Sequence, residues 1–234
     1  MDAVPHARPP VGVNLDGGWV LRRREGLAAS LHDPTEPDRA VPTVDVLTVD
    51  QPSFVLGSSQ STAAVDHERA KAAGVVVARR RSGGGAVLLV PDDHVWIDVW
   101  VPAGDRRWDD DVIRAADWFG DVWCSAAARW GATDLAVHRT NATRDGWAES
   151  VCFAGAGPGE VFAGARKLVG VSQRRTRRWT RLQSVVHRRW DAALTFGLLA
   201  HEGAAEAGLA WRDRVAVAAD ADVESAFLDV LTAG

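Results

Sequence analysis

Short apolar runs of strand length fill much of this 234-residue chain, and glycine or proline separates most of them from their neighbours. Runs of about four to eight residues rich in Val, Ile and aromatic residues are typical of strands, and Gly or Pro between them is typical of turns. The chain is therefore restricted to folds that are built on a hairpin-rich sheet. We predict strands at residues 44–49, 53–56, 75–78, 88–90, 95–101, 161–171 and 182–187, with a shorter piece at 151–153.

Predicted helices lie between several of these strands. Residues 21–31 and 60–73 are predicted as short helices. Residues 110–130 are predicted as the longest helix, because the apolar residues of this segment recur at helical spacing behind an acidic start. The tail from Trp190 onward is rich in Ala and Leu and is predicted to be helical. Strands with helices segregated between them predict an α+β fold with a mixed, mostly antiparallel sheet flanked by helices.

Length and composition bound the organisation and exclude several functions. We assign residues 1–12 to a disordered lead-in and residues 13–234 to one domain with a helical tail. The start lacks the apolar stretch of a signal peptide and no run reaches membrane-spanning length, so we expect a cytoplasmic protein without membrane partners. The net charge of −4 provides no overall attraction for nucleic acid. Cys124 and Cys152 lack metal-ligand spacing, so no metal site is predicted.

Lys167 is one of only two lysines among 27 lysine and arginine residues. A chain that uses arginine so widely is expected to keep lysine where a compact, hydrated point charge on a flexible stem is needed. Lys167 is therefore the first candidate for chemistry. The other lysine, Lys71, lies in a polar stretch and is predicted to occupy a solvated helix face.

Three successive glycines, Gly83, Gly84 and Gly85, follow a basic strand end at residues 79–81. Glycine allows close backbone approach, so exposed amides could form an anion-binding concavity beside the arginines. A plain hairpin turn is the alternative interpretation. The segment is neither a P-loop nor a dinucleotide fingerprint, because neither spacing is present.

Together these segments resemble the lipoate–protein ligase family, which includes lipoyl and octanoyl transferases and distant biotin ligases. The resemblance covers about residues 21–187 and depends on residues 79–87, on residues 52–57 with Gln60, and on residues 165–174. It implies a biotin/lipoate ligase-like catalytic domain. It also implies that Lys167 contacts the carbonyl or phosphate of an acyl-adenylate. The substrate-binding residues that it implies are Arg80, Ser82, Gly83, Gly84, Gly85, Ala86, Gly57, Gln60, Gly170 and Ser172.

The first functional hypothesis is an ATP-dependent ligase that joins lipoate, or octanoate, to a lysine of lipoyl-domain proteins or of the glycine-cleavage carrier protein. ATP and Mg²⁺ would be required to turn the carboxylate into an acyl-adenylate. Lys167 would stabilise charge during attack by the acceptor amine, and Arg80 would hold anionic oxygens.

Cys152 supports an alternative within the same family. Residues 150–153 resemble the segment in which cysteine-dependent octanoyltransferases carry the nucleophile that takes the acyl group from acyl carrier protein. A thiolate close to Lys167 and arginines would be a competent nucleophile. A small buried structural cysteine is the other interpretation.

Several positions depart from the family pattern. Leu89 and Val90 stand where many members carry His-Asp, Ser184 and Val185 stand where His-Gly is expected, and the Asn-Asp pair of ligases is not evident.

A further hypothesis comes from the arginines that follow Lys167, which are interleaved with tryptophan as in some nucleic-acid-binding proteins. These arginines are Arg174, Arg175, Arg177, Arg178, Arg181, Arg188 and Arg189. A nucleic-acid-binding module is thus the third and least favoured function.

Overall fold

The computed structural model describes residues 12–33, 35–143 and 146–234. Its strands are β1 (Val13–Asn14), β2 (Val20–Gly26), β3 (Thr43–Val49), β4 (Ser53–Leu56), β5 (Val76–Arg79), β6 (Val87–Leu89), β7 (His94–Pro102), β8 (Leu135–Val137), β9 (Val161–Ala163), β10 (Arg166–Arg175) and β11 (Trp179–His187). Its helices are α1 (Ala28–His32), α2 (His67–Ala72), α3 (Val112–Arg129), α4 (Ala192–Gly197), α5 (Ala204–Ala210) and α6 (Val223–Ala233).

The strands form two sheets. The larger has eight strands in the order β1-β2-β3-β7-β11-β10-β9-β8, and the smaller has the order β5-β4-β6. Among the strand pairs of the described residues, β2 with β3 and β4 with β5 are parallel, and the others are antiparallel. The predicted α+β class with a mixed, mostly antiparallel sheet is confirmed.

The two sheets and the helices pack as layers. Helices α3 and α6 cover one face of the large sheet, where Phe119, Trp123 and Phe227 meet the side chains of its central strands. Apolar residues of the small sheet, such as Val55, pack against Trp96 on the other face. Helices α4 and α5 cover the far side of the small sheet. The central strands β7 and β11 are thus buried on both faces.

The prediction of a helix at residues 21–31 is wrong. This segment is strand β2 followed by the five-residue helix α1. The apparent helical spacing joined residues of two elements, and pairing along β3, with Leu21 opposite Val44, outweighs it. Arg22 occupies a buried position in β2 because it meets Asp45 with its Nε 2.6 Å from Oδ1.

Other predicted elements exist with different limits. The helix predicted at 60–73 shortens to α2, capped by the Asp66 side chain, behind a separate turn at Thr62–Ala64. The single strand predicted at 161–171 is the hairpin of β9 and β10. Residues 151–153 make only one bridge, from Val151 to Ala86, before a short helical turn. Beyond Trp190 the chain forms three separate helices, α4, α5 and α6.

The predicted lead-in, residues 1–12, lies outside the described residues except for Gly12. Within the described ranges, every helix is too short or too polar to cross a membrane.

Candidate functional site

Lys167 lies near the start of β10 and is 2% exposed. The pairing register between β9 and β10 shifts between Lys167 and Val169. Such an irregularity bends a strand and re-aims a side chain. The ammonium of Lys167 donates to the carbonyl oxygens of Cys152 at 2.7 Å and Gly155 at 3.2 Å. Its Nζ also lies 5.1 Å from the ring centre of Phe153.

The glycine loop, residues 80–86, is not the hairpin turn that was considered as an alternative. It joins β5 to β6, and these strands lie on opposite sides of β4, so the loop crosses the end of β4. The crossing needs close backbone contact. A Cβ on Gly57 would lie 1.9 Å from the carbonyl oxygen of Gly84, and one on Gly85 would lie 2.6 Å from the carbonyl carbon of Val151. Glycine is required here for space.

Arg80 holds the glycine loop from inside. Its guanidinium donates to the carbonyl oxygens of Gly83 and Gly85, both at 2.8 Å, and of Val55 at 3.2 Å. Burial lowers the pKa of this guanidinium, which is 3% exposed. Arg80 therefore shapes the loop, and the binding of a substrate's anionic oxygens by Arg80 stays a prediction.

Cys152 is joined to the glycine loop through the backbone. The amide of Cys152 donates to the carbonyl of Ala86 at 2.8 Å, and the amide of Ala86 donates to Ser150 at 2.9 Å. This bridge brings the cysteine beside the loop although Ala86 and Cys152 are 66 positions apart in the sequence. Cys152 is partly exposed.

These residues meet around one cavity of about 300 Å³. Its lining includes Arg80, Cys152, Glu160 and Lys167, together with the three glycines of the loop. Further lining comes from Val112 and Ala116 of α3, from Val171, Ser172 and Gln173 of β10, and from small residues such as Ala142, Ala148 and Ala156. A second, much smaller cavity of about 30 Å³ adjoins it and is lined by His32, Arg80, Val87, Trp96, Cys152, Phe153, Gly170, Val171, Ser172, Gln183, Ser184 and Val185.

Ser82, Ser172 and Gly170 shape the inner wall. The Ser82 hydroxyl donates to Gln183 Oε1 at 3.0 Å and lies 3.2 Å from the Ser172 hydroxyl. Gly170 leaves room for the ring of Phe153, since a Cβ there would lie 3.0 Å from it. These contacts hold Gly170 and Ser172 of β10, which follow Lys167 in the same strand, against Phe153 and the glycine loop.

Gly57 and Gln60 support the wall from behind. The Gln60 side-chain oxygen accepts a hydrogen bond from the Gly57 amide at 2.9 Å. Its side-chain nitrogen donates to the carbonyls of Glu149 and Ser150 at 3.0 and 3.1 Å. Gln60 therefore ties the end of β4 to the segment that leads into Cys152, and a contact of Gln60 with substrate stays a prediction.

Sequence reasoning missed Glu160. Its Oε1 lies 2.6 Å from Lys167 Nζ, and both side chains are almost fully buried. Burial raises the pKa of this carboxyl, and the adjacent ammonium opposes the rise. Glu160 stands in a Gly-Pro-Gly-Glu stretch that carries no recognisable motif, so only the fold identifies the pair.

The arginines that follow Lys167 point to different parts of the molecule. Arg181 is buried, with its Nε 2.6 Å from Asp98 Oδ2. Arg178 faces Glu36 and Arg189 faces Asp93. Arg178, Arg181 and Arg189 thus contact three different parts of the described chain, which weakens the nucleic-acid hypothesis.

His187, at the end of β11, packs against Phe153 with the ring centres 4.4 Å apart. It is paired in register with His94 of β7. Burial lowers the pKa of His187 to about 3, with smaller contributions from His94 and Lys167, and lowers the pKa of His94 to about 4. Both rings are therefore neutral at neutral pH.

The lipoyl protein ligase A/B catalytic domain pattern matches residues 29–205, which is more than half of the chain and includes every residue of the cavity named above. The chain belongs to this family. A comparison with curated proteins gives no significant match.

Solved structures of lipoyl protein ligases share the fold at low sequence identity. A Thermoplasma acidophilum protein with bound lipoic acid aligns with TM-score 0.69 and 18% identity over 94% of this chain and 85% of its own. A lipoate-protein ligase A bound with ATP aligns with TM-score 0.68 and 16% identity, over 94% of this chain and 85% of its own. The bipartite T. acidophilum lipoate protein ligase, studied with its E2 lipoyl domain, aligns with TM-score 0.66 and 17% identity, over 91% of this chain and 83% of its own.

Proposed function

We propose that this protein joins a lipoyl or octanoyl group to a lysine of a lipoyl-domain protein or of the glycine-cleavage carrier protein. The observation that carries this proposal is the convergence of Lys167, Cys152 and the glycine loop on one cavity. A volume of about 300 Å³ lies at the lower end of the range for small-molecule sites. The apolar part of its lining suits an acyl chain, and its polar part suits an acyl carbonyl.

The chemistry requires an activated acyl carbonyl. The acceptor amine attacks the carbonyl carbon, the bond to the leaving group breaks, and the amine loses a proton as the amide forms. Negative charge develops on the carbonyl oxygen during attack, and a donor already in place stabilises it. Lys167 is the ammonium that lines the cavity, and it fits this role.

ATP-dependent activation is our first candidate for the route. Its support is family membership and the fold shared with the ATP-bound ligase. When bound, ATP would supply an adenylyl group to the carboxylate, with pyrophosphate as the leaving group, and Mg²⁺ would be held largely by phosphate oxygens. Lys167 and backbone amides of the glycine loop are the groups of this chain that would contact the phosphate.

Transfer through Cys152 is the second candidate, and one observation favours it. Cys152 lines the same cavity as Lys167, and the Lys167 ammonium holds the Cys152 carbonyl. An acyl group on this sulfur would therefore lie beside the donor that the reaction needs. Octanoyl acyl carrier protein would supply the acyl group, with the carrier thiol as the leaving group.

Two assays separate these routes. Lipoate- or octanoate-dependent ATP–pyrophosphate exchange tests activation, and transfer from octanoyl acyl carrier protein to a lipoyl domain tests the cysteine route. The chain offers matched controls because it has two lysines and two cysteines. Lys71→Arg controls for Lys167→Arg, and Cys124→Ser controls for Cys152→Ser.

The ligase predicts exchange that survives Cys152→Ser and falls by about 100-fold or more in Lys167→Arg, because one stabilising donor is misplaced. The transferase predicts no exchange, and transfer that is lost in Cys152→Ser and kept in Cys124→Ser. Absence of both activities in the folded wild type overturns the proposal. Salt-dependent retardation of nucleic acid would then favour the third function.

A further inference from the structure

Glu160 contacts Lys167 more closely than any other described residue does. The 2.6 Å distance from Oε1 to Nζ is shorter than the distances from Nζ to the carbonyls of Cys152 and Gly155. Glu160 is also the one carboxylate among the described residues that line the cavity, where Lys167 and Arg80 carry positive charge. The cavity therefore keeps a net positive charge while the lysine retains a counterion.

The Glu160 carboxylate is fixed from two sides. Its Oε2 accepts a hydrogen bond from the Gly157 amide at 2.7 Å, and its Oε1 accepts one from the Val171 amide at 3.3 Å. The backbone of Glu160 is held as well, because its carbonyl accepts from the His138 amide at 2.8 Å. A carboxylate held by both a loop and strand β10 provides a rigid reference point for its partner.

The donors of Lys167 are fully used. An ammonium has three N–H groups, and Glu160, Cys152 and Gly155 accept from them. An acyl oxygen can bind only by replacing one acceptor. The bond to Gly155, at 3.2 Å, is the longest and joins a neutral carbonyl that lines the cavity. The charge-assisted contact with Glu160 is the strongest and is expected to persist.

We infer that Glu160 is the positioning residue for Lys167, and that it anchors the ammonium while an acyl oxygen takes the place of the Gly155 carbonyl. This inference rests on the proposed function. Glu160 acts through the lysine rather than on the substrate.

The kinetic test compares Glu160→Gln with wild type in whichever acyl-transfer assay the protein supports. We expect kcat to fall by about 100-fold, as for a misplaced catalytic donor, with KM for the acyl substrate within about threefold. Glu206→Gln, the same change at an exposed site, should match wild type. A wild-type kcat in Glu160→Gln, or a fall that appears only in KM, overturns the inference.

A second test needs no activity. Protein labelled with ¹⁵N-lysine gives two side-chain signals, from Lys71 and Lys167. The buried, hydrogen-bonded Lys167 ammonium should exchange with water slowly, and the exposed Lys71 ammonium rapidly. In Glu160→Gln the Lys167 signal should shift and exchange faster. Identical signals in both proteins would refute the positioning role, whereas a missing acyl activity with the expected signals would refute only the proposed function.

If Glu160→Gln does not fold, Glu160→Asp provides the test. It keeps the charge but withdraws the carboxylate by one methylene, so the 2.6 Å contact with Lys167 cannot form without movement. We expect an intermediate loss of kcat and faster ammonium exchange. A variant with both properties unchanged would show that the contact does not position the lysine.

Discussion

Acidification to about pH 5 is expected to destabilise this protein through two histidines on neighbouring strands. His187 is 3% exposed, His94 is partly buried, and the two are paired in register on β11 and β7. Within the described residues, Nε2 of each ring has no hydrogen-bond partner. Burial lowers the pKa to about 4 for His94 and to about 3 for His187. Neither ring can be charged in the folded state without a large cost.

The size of the effect follows from these values. An unfolded histidine has a pKa of about 6.5, so the folded state disfavours protonation and the linked stability is fully present above that pH. It is lost as the pH falls from about 6.5 towards the folded values. Between about pH 7.5 and pH 5, each ring lowers the free energy of unfolding by about 2 kcal/mol, and the two rings together lower it by about 4 kcal/mol. Domains of this kind are typically stable by about 5–15 kcal/mol.

Two buried carboxyls act in the opposite direction. Burial raises the pKa of Asp98 and Glu160, so their protonation on acidification favours the folded state. The difference between wild type and a histidine variant therefore isolates the histidine effect. His187→Leu is suitable, because its ring packs against Phe153 and Trp190 and a leucine keeps an apolar contact there.

The assay is urea denaturation at about pH 7.5, 6 and 5. From about pH 7.5 to about pH 5, the free energy of unfolding should fall by about 2 kcal/mol more in wild type than in His187→Leu. His67→Gln, at an exposed site, should keep the wild-type pH dependence. Equal losses in wild type and His187→Leu would refute the reasoning, since a buried neutral His187 must contribute to the slope.

Two further predictions concern packing and buried charge. Gly57→Ala should cost about 1–3 kcal/mol, because its Cβ would overlap a glycine-loop carbonyl, whereas Gly197→Ala meets no described atom within 4 Å and should change stability by less than about 1 kcal/mol. Arg181→Met removes the arginine that is paired with the buried Asp98 carboxylate and should cost about 3–5 kcal/mol. Arg23→Met breaks an exposed ion pair and should cost at most about 1 kcal/mol. Urea denaturation at neutral pH measures all four, and equal costs within either pair would contradict the argument.

Regular elements with strong local periodicity were predictable from sequence. The strand predicted at residues 53–56 coincides with β4, and the helix predicted at 110–130 differs from α3 by only one or two residues at each end. The prediction of one helix at residues 21–31 was wrong because the apolar spacing there combines residues of a strand and of a helix. The competing interaction there is pairing with β3, and a local pattern carries no information about a partner strand about twenty residues away.

The sequence by itself determined the fold class, the candidate Lys167 and the glycine loop, because each depends on local composition or on a pattern of adjacent residues. Only the tertiary structure decided that Arg80 holds the glycine loop, that the later arginines diverge, and that Glu160 meets Lys167. These contacts depend on strand order, on a change of register in β10, and on which side chains lose their water. Burial makes an unpaired charge costly, so the folded chain pairs Lys167 with a carboxylate that no sequence motif identifies.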